Sequence, residues 1–420
     1  MRFRPISFLP FILFLFFVAP VSGQKDYAKK ILDTLCSPSF DGRGYVNEGS
    51  LRASQFLADE LKKIGVVPFR SFTFFQDYGF DVNTFPGEML VVLDDDTLVA
   101  GEEFLVDPNS GSAVGSFEIV QINTEVWKNK SEISPQLYER DKKVLLFDFT
   151  DITDPKAYAQ MKDYVMRMLS FLPCIWIEKS KQNWSVGRYA TEYPLITIDS
   201  ADYHGARTVE LNIENKFIPQ CPSKNVIGVI PGKKKKLIVF SAHLDHLGRI
   251  GKNAYFPGAN DNASGVAMLL SLAKYFVVNP PEYTIALCFF SGEEAGMEGS
   301  QYFVQHPFFK LKKIRFVINI DIMGGASEGI TVVNGTEYPK EFDLMTQINE
   351  EKKLVKQIKK RGPTQNSDHY SFAQVGVPAF FIYSNGTVKN YHDVFDKAES
   401  TPLDNFEEVE KLLIEFVGRR

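Results

Sequence analysis

The sequence predicts an α/β fold: a mixed, mostly parallel central sheet with helices on both faces, plus a β-rich inserted domain. Three observations predict it. From Lys224 onward, apolar runs of strand length alternate with helical patterns. Several of those runs stop at a His, Asp or Glu, as in LIVFSAHLDHLG (237–248), TIALCFFSGEEAG (284–296) and RFVINID (315–321). Residues 86–219 differ in texture, with short strand-like pieces separated by turns. The expected organisation is a leader over 1–23, a main domain built from 24–85 and 220–420, and an insert over 86–219.

The leader is read from Arg2 and Arg4, the apolar run 8–18, and the small residues Val21 and Gly23. Together they suit a signal peptide, with a mature chain from Gln24. The run is short for a span of about 20 residues, and no later segment is apolar enough to cross a membrane. Export to a periplasm or the exterior is therefore expected. Without Arg2 and Arg4 the 47 basic residues become 45 against 52 acidic, a net of about −7. That balance excludes nucleic acid as an expected partner. Cys36, Cys174, Cys221 and Cys288 are expected to be mostly free and buried, with Cys36–Cys221 as the one candidate pair.

After a short first helix around 27–36, SFDGRGYVNEGS (39–50) reads as a solvated Gly-rich connection, with a loop network among Asp41, Arg43 and Glu48 as the alternative. A helix is predicted over 50–64, with Ser50 as N-cap and Gly65 as stop. FRSFTFFQDYGF (69–80) reads as an aromatic strand. In the insert, strands are expected within 89–99, 116–122, 142–149, 171–178 and 194–200, with one helix over 155–169. The lone His204 reads as structural or superficial. The pieces 225–232 and 235–243 suggest a hairpin turning at Pro231-Gly232, with the lysines 233–236 as its solvated tip. Helices follow at 263–277, 299–305, 341–358, 367–374 and 406–417, and strands at 283–290, 314–321, 329–334 and 379–383.

In such sheets, ligands bind beyond the carboxyl ends of the strands. His243 and Asp245 are two apart at a strand end and point the same way. The carboxylate of Asp245 is a candidate partner for the second ring nitrogen of His243. Asp261, in PGANDNASG (257–265), either caps the following helix or binds metal; Asn262 and Ser264 already offer capping groups. Glu293 and Glu294 are adjacent acids after an apolar strand and need compensation for repulsion and desolvation. Asp321 ends another strand. His392 lies in a late loop, with Asp396 placed to orient it or to shape that loop. Two His and three carboxylates give the mixed N/O ligation that suits Zn²⁺.

The motifs SAHLDHLG, GANDNASG, SGEEAGMEGS, NIDIMG and YHDVFD occur in the order seen in the co-catalytic zinc aminopeptidases, and the chain resembles that family over about 24–85 and 220–420. The family includes bacterial leucyl aminopeptidases, glutamate carboxypeptidase II and the glutaminyl cyclases. The insert resembles a protease-associated domain, without motifs of its own. The resemblance implies two Zn²⁺, one held by His243 and Asp321, the other by Glu294 and His392. It implies Asp261 as bridge, followed by a cis peptide to Asn262. It also implies Glu293 as general base and Asp245 as the residue behind His243. The implied function is an exported metal-dependent exopeptidase, an aminopeptidase acting on peptides. The alternatives are a carboxypeptidase of the same family, a one-zinc glutaminyl cyclase-like acyltransferase, and a non-catalytic binding protein. No His-Glu-x-x-His helix is present, so the single-zinc scheme of that motif does not apply. Tyr255, Asp368, Tyr383 and Tyr391 lie near the motifs and are candidate substrate contacts, Asp368 for an amine.

Overall fold

The computed structural model describes residues 23–69, 72–128, 142–148, 150–179 and 183–420; the expected leader lies outside them, apart from Gly23. The chain opens with helices α1 (Gln24–Leu35) and α2 (Gly49–Ile64), then strands β1 (Val67–Pro68) and β2 (Phe75–Thr84). Next come β3 (Met89–Leu93), β4 (Asp96–Thr97), β5 (Phe104–Val106), β6 (Ala113–Ile122), α3 (Thr124–Lys128), β7 (Lys143–Asp148), α4 (Pro155–Met168), β8 (Cys174–Glu178), β9 (Leu195–Asp199) and β10 (Thr208–Ile213). The chain continues through β11 (Lys216–Ile230), β12 (Lys234–His243), β13 (Gly248–Ile250), β14 (Ala254–Phe256), α5 (Ser264–Val278), β15 (Tyr283–Phe290), α6 (Glu298–Gln305) and β16 (Ile314–Ile320). It ends with β17 (Ile330–Val333), α7 (Pro339–Lys352), β18 (Ile358–Lys360), α8 (His369–Gln374), β19 (Ala379–Ser384) and α9 (Phe406–Arg419).

The main sheet runs β1-β11-β15-β12-β16-β19-β17-β18, with β2 also paired to β11. Strand β12 is parallel to β15 and β16, and β16 is parallel to β19. Their carboxyl ends therefore share one edge. Strands this deep are apolar on both faces, because helices cover both sides. One face packs on α1, α2, α5 and α9 through Leu32, Leu57, Leu269 and Leu413. The other packs on α6 and α8 through Phe303 and Phe372. Helix α5 is buried almost all round, which fits its nearly unbroken apolar sequence.

The second sheet runs β4-β3-β10-β6-β7-β8-β9-β5. Helix α4 covers one face through Met161 and Val165. The opposite face shares a core with Leu247, Ile250, Phe256 and Val394, which come from loops beside the main sheet's edge. The second sheet is thus fastened to that edge by apolar packing. Among the described residues no helix is long and apolar enough to cross a membrane.

Several expectations are corrected. Strands β11 and β12 form no hairpin: β15 lies between them, antiparallel to β11 and parallel to β12. The run LIVFSAH, apolar on both faces, takes a central position with parallel neighbours on each side. The helix expected over 341–358 ends at Lys352, where Lys353 turns left-handed (φ 53°), and Ile358–Lys360 becomes an edge strand on β17. Ser50 lies inside α2, whose cap position is Glu48; its Oγ turns inward to Ser291 Oγ at 2.8 Å. Gly65 does end α2, at φ 97°. The aromatic strand begins at Phe75, later than its sequence suggests, and β5 and β10 were not anticipated. All four cysteines are free and buried. Cys36 and Cys221 sit in separate apolar clusters, so that candidate pair is not formed.

Candidate metal centre

Most pieces of the centre lie at or beyond the carboxyl ends of parallel strands, and one lies at the start of a helix. His243 closes β12; Glu293 and Glu294 follow β15; Asp321 follows β16; His392 lies in the loop after β19. Asp261 precedes α5 in a distorted turn, and its peptide bond to Asn262 is cis. The structure brings all six together.

The two carboxylate oxygens of Asp261 face different partners. Oδ1 is 3.1 Å from His243 Nε2, which is also 3.1 Å from Asp321 Oδ1. Oδ2 is 3.2 Å from His392 Nε2, which is also 3.1 Å from Glu294 Oε2. Both Nδ1 atoms face backbone carbonyls: His243 Nδ1 is 3.1 Å from Asp245 O, and His392 Nδ1 is 2.9 Å from Trp184 O. A carbonyl only accepts, so each Nδ1 carries a proton. In the neutral tautomer each Nε2 is then a lone pair turned towards two carboxylate oxygens. Such a convergence of lone pairs calls for a cation. Donors about 2.0–2.2 Å from a tetrahedral zinc lie about 3.3 Å from one another, close to these four separations. The donor set therefore fits two zinc ions sharing Asp261.

The electrostatics agree. Burial opposes a charged ring at His392, but Glu294 and Asp261 overcome it and hold its pKa up to about 11. Burial likewise opposes charge on His243, and Asp321 and Glu293 raise its pKa well above the usual value. Glu294 resists burial through His392 and His246 and is held down to about 2. Burial drives Glu293 well above the usual carboxylate range, with Glu294 adding to the effect against His243. Three smaller groups of acids and histidines within this cluster each have ligand atoms within 4.8 Å of one another: His243–Asp261–Asp321, His243–Glu293–Glu294 and His246–Asp261–Glu294.

The surroundings hold these groups still. Ser367 Oγ donates to Asp321 Oδ2 at 2.7 Å. Asp396 does not touch His392; its carboxylate accepts the backbone N–H groups of Asn260 (2.8 Å) and Asp261 (3.0 Å), which shapes the Asp261 turn. The carboxylate of Asp245 stands 3.8 Å from His243 Nδ1, so the carbonyl of Asp245 takes the role expected of its side chain. That carboxylate instead accepts from Tyr45 Oη at 2.8 Å and Glu293 N at 3.3 Å, tying the loop that carries Glu293 to the segment after β12.

Sequence reasoning missed three contributors. His246, fully buried, donates through Nδ1 to Glu294 Oε1 at 2.7 Å; the second His of HLDH was its signal. Arg43 was expected in a solvated connection and is completely buried. Its guanidinium donates to the carbonyls of Leu35, Leu244, Pro257, Gly258 and Asp261 at 2.6–3.3 Å. Trp184 carried no signal at all.

The four candidate substrate contacts divide. Tyr391 stacks on His392, with ring centroids 3.9 Å apart, and is half exposed at the centre's rim. Asp368 is fully buried with neither oxygen partnered, and burial raises its pKa to about 7. Tyr383 accepts from Arg361 Nη1 at 3.3 Å on β19. Tyr255 lines a separate cavity of about 420 Å³ with Glu88, Lys252 and Lys397, away from all six cluster residues.

Comparison with known proteins agrees with this architecture. Residues 225–417 match Peptidase family M28. The "Probable leucine aminopeptidase" of Arthroderma otae is 28% identical over 192 residues, covering 43% of this chain and 53% of that protein. "Aminopeptidase YwaD" of Bacillus subtilis is 26% identical over 216 residues, covering 50% and 45%. The chain thus spans about half the length of the curated relatives it matches. Among solved structures, the Bacillus subtilis zinc aminopeptidase BSAP superposes with a TM-score of 0.69 at 16% identity, over 93% of each chain. A Peptidase M28 precursor from Shewanella amazonensis gives 0.68 at 16% identity, over 95% of this chain and 94% of its own. These likenesses establish the fold. The resemblance carried by the five motifs is therefore one to Peptidase family M28, seated on residues 225–417.

Proposed function

We propose that the protein is a metal-dependent aminopeptidase working with two zinc ions. The observation that carries this reading is the division of Asp261, one oxygen towards His243 and Asp321, the other towards His392 and Glu294. His243 and Asp321 would hold one ion, Glu294 and His392 the other, and Asp261 both. Bound zinc supplies Lewis acidity, polarising the scissile carbonyl and making water a nucleophile near neutral pH. Glu293 is the general base: it accepts a proton from the attacking water and returns it to the leaving amine. Asp245 keeps the Glu293 loop in register through its backbone N–H. Tyr391, stacked on His392 at the rim, offers an aromatic surface to an incoming peptide. The aminopeptidase relatives favour action at a free amino terminus. Residues 1–23 are read as an export signal, placing the enzyme outside the cytoplasm.

Digestion of one peptide series with free termini, a blocked amino end and a blocked carboxyl end tests the reading. Loss of cleavage only on amino-terminal blocking is expected. Cleavage of doubly blocked peptides would overturn it. Two zinc per chain are expected; one would favour the cyclase.

A further inference from the structure

We propose that the connector 183–188, between β8 and β9 of the second sheet, positions the Glu294–His392 half of the metal centre, so that its metal occupancy depends on this connector. The inference rests on the reading of Glu294 and His392 as ligands given above.

Trp184 grips His392 twice. Its carbonyl faces His392 Nδ1 at 2.9 Å, and its N–H donates to the His392 carbonyl at 3.0 Å. One residue thus fixes both the ring and the backbone of His392, whose φ of +53° an L residue rarely holds. Four residues on, Arg188 reaches the residue beside the other ligand of the same half. Its Nη1 donates to the carbonyl of Ala295, next to Glu294, at 2.8 Å and pairs with Glu298. Its Nε donates to Asp81 O at 2.8 Å.

The connector is itself tied down. The Trp184 indole donates to Val106 O at 2.8 Å and stacks on Phe256 at 5.0 Å, and the residue is only 4% exposed. Gly187 O accepts from Asn83 N at 2.8 Å, and Arg188 N donates to Asn109 Oδ1 at 2.9 Å. A Cβ on Gly187 would stand 1.9 Å from Pro108 O, so the segment has no slack towards the sheet. The other ligand pair has different support: His243 leans on Asp245 O, and Asp321 on Ser367, both belonging to the main sheet's rim. The Glu294–His392 half shares one support with the main sheet's rim, His246 on Glu294 Oε1 at 2.7 Å, and its remaining contacts with residues 183–188 come from the second sheet. Such outer supports typically govern metal affinity by about 10–100-fold.

The test is zinc titration of metal-stripped full-length protein, with bound zinc counted by elemental analysis and folding followed by circular dichroism. Wild type is expected to bind two zinc. Trp184→Ala and Arg188→Met are expected to keep one at wild-type affinity and to bind the second about 10–100-fold more weakly. If Trp184→Ala does not fold, Arg188→Met decides alone, since its losses are confined to half-exposed contacts. Unchanged affinity for both ions, or equal weakening of both, in a folded variant overturns the inference. A wild-type chain holding fewer than two zinc overturns the two-ion reading itself, and this inference with it.

Discussion

Both sheets contain parallel strands that end at or near carboxylates, and among the described residues only the main sheet gathers them into one cluster with histidines. In the second sheet, Asp148, Glu178 and Asp199 close β7, β8 and β9, which are parallel neighbours. Each is half-buried and answered close at hand. Asp148 Oδ1 accepts from Thr150 Oγ1 at 2.8 Å, Glu178 from Tyr158 Oη at 2.8 Å, and Asp199 from Ala201 N at 2.8 Å. In the main sheet the acids are answered by one another's histidines, and the two Nε2 atoms each meet two carboxylates. An acid at a strand end is thus not a site in itself. It becomes one when burial removes water and the neighbours leave charge over for a cation.

The contrast can be broken in order of expected effect. Glu293→Gln should retain bound zinc yet lower kcat by about 10²–10⁴-fold, the usual share of a general base, as read in a steady-state peptidase assay. A variant near wild-type turnover would show that the acid after β15 is no different in kind from Glu178. Arg43→Met should cost at least about 3 kcal/mol of stability in denaturant unfolding, because it orphans several buried carbonyls at once. It should also weaken zinc binding, since one of those carbonyls belongs to Asp261.

Glu410 supplies a third kind of buried acid, with Glu407, Lys411 and Lys274 as its charged neighbours. Burial raises its pKa to about 7 despite Ser271, and Oε1 has no partner. A carboxyl with a raised folded pKa gives stability that is complete below the unfolded value of about 4.5 and lost as pH rises towards 7. Glu410→Gln should therefore stabilise the fold by on the order of 1–3 kcal/mol at pH 8 and by little at pH 4, measured by unfolding at the two pH values. Equal effects at both would remove the ionisation argument. The smallest effect belongs to the second sheet: Asp199→Asn should change stability by less than about 0.5 kcal/mol and leave zinc content untouched.

Much of this was legible in the sequence because it is local. The apolar period of 264–278 marks a buried helix, and the runs ending at His243 and Asp321 mark strands whose last side chains reach a rim. The resemblance then supplied roles that spacing alone left open for Asp261 and Glu293. Strand order was not legible. Residues 225–243 read as a hairpin, yet a strand 40 residues later lies between the two pieces. Pairing is decided by which apolar faces meet, not by which runs are adjacent in the chain.

What the sequence by itself determined is the alternation that builds the main sheet and the residue types at its rim. Only the tertiary structure decided how those residues are held. Arg43 reads as a loop cation until five carbonyls from three segments close around it. Trp184 reads as one aromatic among many until its backbone meets a histidine 208 residues away. The reason is physical: periodicity and turn chemistry act over a few residues, whereas burial and hydrogen-bond satisfaction are set by whatever the folded chain brings alongside.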